Sequence, residues 1–254
     1  MIKADYSKIA LHYDRGRTLS EKTIVIWLKL IAKLLEASKG ARLLDLGCGT
    51  GRFSLSLASR LRLDVTGLDS SEDMLAKAKE KDSNSVVKWV LADASALPYP
   101  DSSFNIVFMS HLLHHVTSPL EVLKECGRIL VPSGIVMIRY GAIDQIRNDV
   151  IHTFFPQVIE IDEQRTPTGQ ITEKWLAEAG FVNISSEEVV QQTYQAGLEH
   201  LDAIRAKCTS VLSIISDESF QTGLHNLEEY IVKNPDDEWL LFDKMTLTVG
   251  YKRL

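Results

Sequence analysis

Residues 41–52, Ala-Arg-Leu-Leu-Asp-Leu-Gly-Cys-Gly-Thr-Gly-Arg, constrain the fold of this chain more than any other stretch. The apolar run Leu43 to Leu46 reads as a buried strand cut by one acid, Asp45. Gly47, Gly49 and Gly51 follow at every second position, and Phe53 to Leu61 then has helical spacing. Strand, glycine turn and helix in that order bring backbone N–H groups and a helix N-terminus up to a ligand. Glycine suits the turn because it accepts positive φ and carries no Cβ to block the approach.

The next segments keep the same rhythm. Leu63 to Asp69 reads as a second strand ending in an acid, and Val86 to Leu91 as a third, followed by Asp93 and Ala94. Acids at the carboxyl ends of successive strands point into one crevice of an open parallel sheet, where such sheets bind ligands. There Asp69 is placed to accept two ribose hydroxyls, and Asp93 to reach an amino-purine edge.

These motifs resemble those of the class I S-adenosylmethionine-dependent methyltransferases, especially the ubiquinone/menaquinone-methyltransferase-like branch that acts on small molecules. Leu44 to Gly51 is similar to that family's first motif, and Gly67-Leu68-Asp69-Ser70-Ser71 with Met74 to its second. Leu91-Ala92-Asp93-Ala94, Leu97-Pro98 and Phe104-Asn105-Ile106-Val107 match the region through the fourth strand, although the family usually has an acid where Asn105 stands. The resemblance extends to Phe181, about two thirds of the chain.

The resemblance implies an α/β, Rossmann-like class I methyltransferase fold. Its seven-stranded sheet is mostly parallel with an antiparallel last strand, helices cover both faces, and a helical lid is inserted. It implies S-adenosyl-L-methionine as cofactor, leaving as S-adenosyl-L-homocysteine. The residues it assigns to the cofactor are Asp45, Gly47, Cys48, Gly49, Gly51, Asp69, Ser70, Met74, Asp93, Ala94 and Ser110. The glycine-loop backbone receives the amino-acid part, Asp69 the ribose, and Asp93 with the Ala94 backbone the adenine. Asp45 orders the loop or its water, or is only a buried acid capping the turn. Met74 rests against the adenine, or is simple core.

With 254 residues, 45% of them hydrophobic, the chain supports one large core, and we expect a single methyltransferase domain over 1–254. Within it, 1–40 is an N-terminal arm and helix, 41–140 the cofactor-binding core, and 141–167 and 195–234 helical insertions forming a substrate lid. The second insertion has two other readings, a layer packed on the sheet and a dimer surface. Net charge is −6 with no basic stripe of nucleic-acid size, so no nucleic acid is expected as partner. Three cysteines, far apart, form neither a disulfide framework nor a metal spacing. The start has no apolar signal region and no run spans a bilayer, so a cytoplasmic protein is expected, with monomer and homodimer both left open.

Thr18-Leu19-Ser20-Glu21 has capping-box form and opens a helix through Ile24, Trp27, Leu28, Ile31, Leu34 and Leu35 to Gly40, with Trp27 in the core. Further helices are predicted over Ser71 to Lys81, Pro119 to Leu130 and Thr168 to Ala179, the last stopped by Gly180. Strands are predicted over Phe104 to Met109, Ile135 to Tyr140 after a turn at Val131 to Gly134, Phe181 to Val190, and Lys244 to Tyr251. The stretch Asp144 to Arg165 suggests one or two short helices, and 195–234 is helical.

Ser110-His111-Leu112-Leu113-His114-His115 follows the fourth strand, where an acceptor faces the cofactor. The histidine spacing imitates a metal face, but no carboxylate is interleaved, so no metal is expected. His114 is read as structural. His111 and His115 are candidates to line the substrate pocket, and either could act as general base. Tyr13 and Arg15 meet cofactor or substrate, or belong to a solvated arm. Arg139, inside an apolar strand, either pairs with a carboxylate in the pocket or points to solvent.

The reaction implied is transfer of the sulfonium methyl, by in-line displacement, to a small neutral or apolar acceptor. Positioning alone supplies ~7–11 kcal/mol of such a barrier, so no catalytic triad is required. Acceptors at oxygen, nitrogen, carbon, sulfur or a metalloid stay open. One alternative is a non-catalytic module that binds the cofactor. Another is a dinucleotide oxidoreductase, but the third glycine stands one position early for G-x-G-x-x-G. The Asn/Asp-Pro-Pro-Tyr signature of amino-methylating nucleic-acid enzymes is absent, since Met109-Ser110-His111-Leu112 stands in its place.

Overall fold

The structure is a computed structural model that describes residues 19–35, 40–207 and 209–254. Apolar runs without alternation, such as Leu43–Leu46 and Ile106–Met109, form strands buried on both faces, as a sheet covered by helices on each side requires. The strands are β1 (Arg42–Leu46), β2 (Asp64–Asp69), β3 (Val87–Leu91), β4 (Phe104–Ser110), β5 (Leu130–Tyr140), β6 (Phe181–Gln192) and β7 (Phe242–Lys252). They make one sheet in the order β3-β2-β1-β4-β5-β7-β6. Neighbours from β3 to β5 pair in parallel, and β7 runs antiparallel to both β5 and β6. The order reverses between β1 and β4, so a crevice opens at the carboxyl ends there.

The helices are α1 (Glu21–Leu34), α2 (Arg52–Leu61), α3 (Glu72–Lys81), α4 (Pro119–Ile129), α5 (Ile143–Ile146), α6 (Val150–Phe154), α7 (Gln157–Arg165), α8 (Gly169–Glu178), α9 (Gly197–Arg205) and α10 (Asp217–Lys233). On one face of the sheet, Trp27, Ile31, Phe53 and Leu57 of α1 and α2 pack on Leu43, Phe108 and Met137. On the other, Leu123, Cys126 and Leu176 of α4 and α8 pack on Leu44, Leu46 and Val107. A third core is built by the insertions themselves: Phe155, Val158, Ile204, Leu212 and Leu227 bury one another away from the sheet. The segments 141–167 and 195–234, distant in sequence, are therefore one packed unit.

Several predicted boundaries move. The hydroxyl that caps α1 is that of Ser20, which accepts from the Thr23 N–H at 3.1 Å. The region 144–165 holds three short helices because Asp149 caps a new one and Pro156 starts another. β5 begins at Leu130, not Ile135. Its predicted turn survives as a register irregularity, with Leu130 opposite Phe104 and Ile135 opposite Ile106, and Ser133 at φ 59°. Gly180, at φ 93°, ends α8 as its sequence position predicts.

Candidate active site

The glycine turn is fixed by two kinds of contact. The Gly47 and Cys48 N–H groups donate to the Leu68 carbonyl at 2.8 and 3.0 Å, folding the loop back on β2. At Gly49, φ is +53° and an added Cβ would meet nothing within 4 Å, so the backbone there faces open space. Gly51 is different: a Cβ would strike the Trp89 ring at 2.5 Å, so this glycine serves close packing under α2.

Asp69, at the end of β2, accepts from the Gly49 N–H at 2.8 Å and from the Ser71 N–H at 2.9 Å, one on each oxygen. A carboxylate offers about four acceptor positions, so this one retains acceptor capacity beyond these bonds. Burial raises its pKa, while the backbone N–H groups of Ser71, Gly49 and Ser70 act the other way. Asp93 is exposed and accepts from both the N–H and the hydroxyl of Ser95.

Asp45 is 2% exposed and accepts from the Ser54 hydroxyl at 2.5 Å, tying β1 to α2. Burial pushes its carboxyl up to about 7 against the Ser54 hydrogen bond, and the charge of Asp69 adds to the rise. Burial and both carboxylates also hold the Cys48 thiol well above its ordinary value, so it is no nucleophile.

Two cavities open along the carboxyl edge. The smaller, about 340 Å³, is lined by Gly47, Asp69, Ser70, Asp93, Ala94 and His115 among others. The larger, about 560 Å³, lies between the sheet edge and the inserted helices, with Arg52, His111, Arg139, Gln191, His200 and Asp243 in its wall. His114 and Arg165 line both, so the cavities meet there.

Some sequence-predicted site residues stand elsewhere. Met74 is 3% exposed and is not part of the smaller cavity's wall: its N–H is held by the Ser71 cap, and the side chain is buried in the packing of α3. Asp45, Cys48 and Gly51 lie behind the wall. Ser110 accepts from Arg139 Nη1 at 3.0 Å, which ties it to the larger cavity. His111 takes a left-handed φ of 57° with its N–H on the Arg139 carbonyl at 2.8 Å. Tyr13, Arg15 and Cys208 lie outside the described residues.

Arg139 does not point to solvent. It is 2% exposed, donates through Nη2 to Gln191 Oε1 at 2.8 Å, and lies 4.6 Å from the Trp27 ring centroid and 5.3 Å from that of Phe53. Trp27 donates to the same Gln191 oxygen at 2.8 Å, so this core tryptophan also buttresses the site. The opposite wall carries an ionic cluster. Burial resists charging of His152, but the Asp149 hydrogen bond and the Asp162 carboxylate 3.3 Å from Nε2 outweigh it and lift the imidazole to about 9. Asp162 also pairs with Arg165 at 2.7 Å. Arg52, His152, Arg165, Gln191, His200 and Asp243 carry no motif in the sequence, and only the fold gathers them.

Strand order, reversed β7 and the crevice at β1 and β4 define the Rossmann-like class I methyltransferase fold. A family model described as a methyltransferase domain matches residues 44–138. A demethylmenaquinone methyltransferase of Staphylococcus aureus is 30% identical over 198 residues, covering 76% of this chain and 82% of that protein. Solved structures under 25% identical show the fold. A protein of Anabaena variabilis described as a methyltransferase from an antibiotic biosynthesis pathway superposes with a TM-score of 0.74 at 20% identity, over 88% of this chain and 96% of that one. Haemonchus contortus phosphoethanolamine N-methyltransferase 2, bound to S-adenosylhomocysteine, gives 0.60 at 22% identity over 90% of this chain, which spans about half (53%) of that enzyme. The [4+2]-cyclase SpnF gives 0.61 at 21% identity, over 94% of this chain and 85% of that one.

The chain belongs to the class I S-adenosylmethionine-dependent methyltransferases, with the demethylmenaquinone methyltransferases among its relatives. The smaller cavity fits that cofactor: it offers the Gly47 backbone, the Asp69 carboxylate with acceptor capacity to spare, and a polar edge at Asp93. Among the described residues no helix is long and apolar enough to cross a membrane, and no cluster of three His, Cys, Asp or Glu side chains is arranged to hold a metal ion.

Proposed function

We propose that this chain methylates a small aromatic acceptor bearing an ionisable hydroxyl, seated in the larger cavity while the cofactor occupies the smaller. The observation that carries the reading is the meeting of the two cavities at His114 and Arg165. Aromatic side chains in the wall (Tyr194, Trp239 and Phe242) and the name of the Staphylococcus relative support an aromatic acceptor. The polar groups beside them support a hydroxyl.

When bound, S-adenosylmethionine supplies an activated methyl, which an electron pair of the acceptor takes as the bond to sulfur breaks and its pair stays on sulfur. Everything else is done by the chain. Gly47 and Gly49 receive the amino-acid end through backbone, Asp69 with Ser70 holds the ribose, and Asp93 with Ala94 holds the adenine. Asp45 fixes the loop through Ser54. Arg139, immobilised by Gln191, Ser110 and two rings, orients the acceptor, with His111, His114 and His115 along the passage between the cavities. Tyr13 and Arg15 are retained as further candidates.

The unit α5–α7 with α9 and α10 acts as the lid that excludes water. On this reading the chain is a single-domain cytoplasmic enzyme without a nucleic-acid partner. The test is incorporation of labelled methyl from S-adenosylmethionine into 1,4-naphthohydroquinone and catechol, beside their dimethyl ethers. Labelling of the free hydroxyl compounds alone is expected, and labelling of neither pair removes the acceptor class.

A further inference from the structure

The far wall of the larger cavity holds a histidine that none of these roles uses. His200, on α9, is 5% exposed and lines the cavity. Its Nδ1 lies 2.8 Å from the Leu240 carbonyl. A carbonyl only accepts, so Nδ1 carries the proton and Nε2 keeps its lone pair. Nε2 has no hydrogen bond among the described residues and is not sealed from the cavity. The ring stacks on Tyr194 with centroids 4.0 Å apart and planes at 18°, which fixes its orientation.

A chain of hydrogen bonds runs from Arg139 to Asp243 along the same cavity. Arg139 donates to Gln191, Gln191 Nε2 donates to Thr193 Oγ1 at 3.0 Å, and the Thr193 hydroxyl donates to Asp243 Oδ2. Gln191 and Asp243 face each other across β6 and β7, so the sheet itself sets this spacing. Burial raises the pKa of Asp243, opposed by the Thr193 hydrogen bond and by the charges of His200 and Arg139.

We propose that His200 is the proton acceptor of the larger cavity, serving an acceptor hydroxyl that must lose its proton as the methyl is taken up, with Asp243 steadying the imidazolium. The inference rests on reading that cavity as the acceptor site. The proton moves from the hydroxyl to His200 Nε2, and the electrons of the O–H bond stay on the acceptor, which uses a pair for the new bond to carbon. The imidazolium then yields the proton to solvent, so one proton is released per methyl delivered. Burial favours the neutral ring at rest, opposed by the Leu240 carbonyl and by the charges of Asp243, Asp149 and Glu199 that bear on it. A neutral ring with a carboxylate waiting for the charged form is what a general base requires.

The test has two readouts. Nitrogen-15 NMR of histidine-labelled chain saturated with S-adenosylhomocysteine, assigned by loss of the signal in His200→Gln, should show the neutral Nδ1–H tautomer at pH 7. The ring should titrate below the range of free histidine. An imidazolium at pH 7, or an Nε2–H tautomer, overturns the proposal whatever the acceptor is. In methyl transfer to 1,4-naphthohydroquinone, His200→Gln should lower kcat by about 10²–10⁴ and erase the acid limb of the pH profile. S-adenosylhomocysteine should bind as in wild type, and added imidazole should restore part of the rate of His200→Ala. A variant that keeps the wild-type rate and profile also overturns the proposal. Failure of the wild-type chain to methylate that compound counts against the acceptor class, and the NMR state of the ring then decides the inference.

Discussion

The two cavities share one sheet edge but are built from different materials. The smaller cavity leans on backbone: Gly47 and the first residues after β2 and β3, with Asp69 clasping Gly49 and Ser71. The larger cavity, read as the acceptor site, uses side chains drawn from α2, β5, β6, β7, α7 and α9, with an ionic cluster for one wall. A backbone site tolerates little variation because its geometry is the turn itself. A side-chain site can be rewritten by substitution while the fold stands, and a family that shares a cofactor can thereby serve different acceptors.

The largest effect that separates the two sides should come from the ionic cluster. His152→Ala leaves Asp149 and Asp162 without their buried partner and should cost ~3–5 kcal/mol of stability, read by denaturant unfolding. The affinity of the folded fraction for S-adenosylhomocysteine should not change. A loss of affinity equal to the loss of stability would show that the two sides are one unit.

pH sharpens the same contrast. Both groups have raised folded-state values, so each contributes stability at low pH that is lost as pH rises. For Asp45 the loss runs from 3.8 to about 7. For His152 it runs from 6.5 to about 9. Unfolding free energy measured across pH should lose the lower window in Asp45→Asn and the upper in His152→Gln.

Next in size, Asp69→Ala should weaken S-adenosylhomocysteine binding by about 10- to 100-fold, the worth of ~1.5–3 kcal/mol of charged hydrogen bonding. Isothermal titration checks this, and an unchanged affinity would place the ribose elsewhere. Arg139→Lys loses the planar fork that reaches Ser110 and Gln191 together. It should lower kcat/KM for the acceptor about tenfold (~1.4 kcal/mol) while leaving cofactor affinity alone. Smallest is Lys88→Ala, which breaks an exposed pair with Asp64 and should shift stability by ~0.5 kcal/mol or less on either readout.

The sheet was legible because its signals are local. Leu43–Leu46, cut only by Asp45, and Ile106–Met109 are buried on both faces and read as apolar runs, and Gly180 needs only its own φ to end a helix. The acids Asp69 and Asp93 were legible for the same reason, since a strand end fixes where the next residue sits. Met74 had two readings, ligand or core, because a methionine one turn into a helix looks alike in either place; its burial in the packing of α3 fits the second. The three helices between 144 and 165 were hard to count because each is too short to show a period.

The sequence by itself therefore determined the core of the sheet: the parallel strands, the glycine turn, and the carboxylates that follow β2 and β3. Only the tertiary structure decided the larger cavity. It turned Arg139 inward between Trp27 and Phe53, joined 141–167 to 195–234 through a core of their own, and set His200 and Asp243 beside the same cavity. The physical reason is range. A turn or a strand end is settled by neighbours a few residues away, whereas a wall made of side chains up to about 190 residues apart exists only once β6 and β7 have paired and the inserted helices have closed over them.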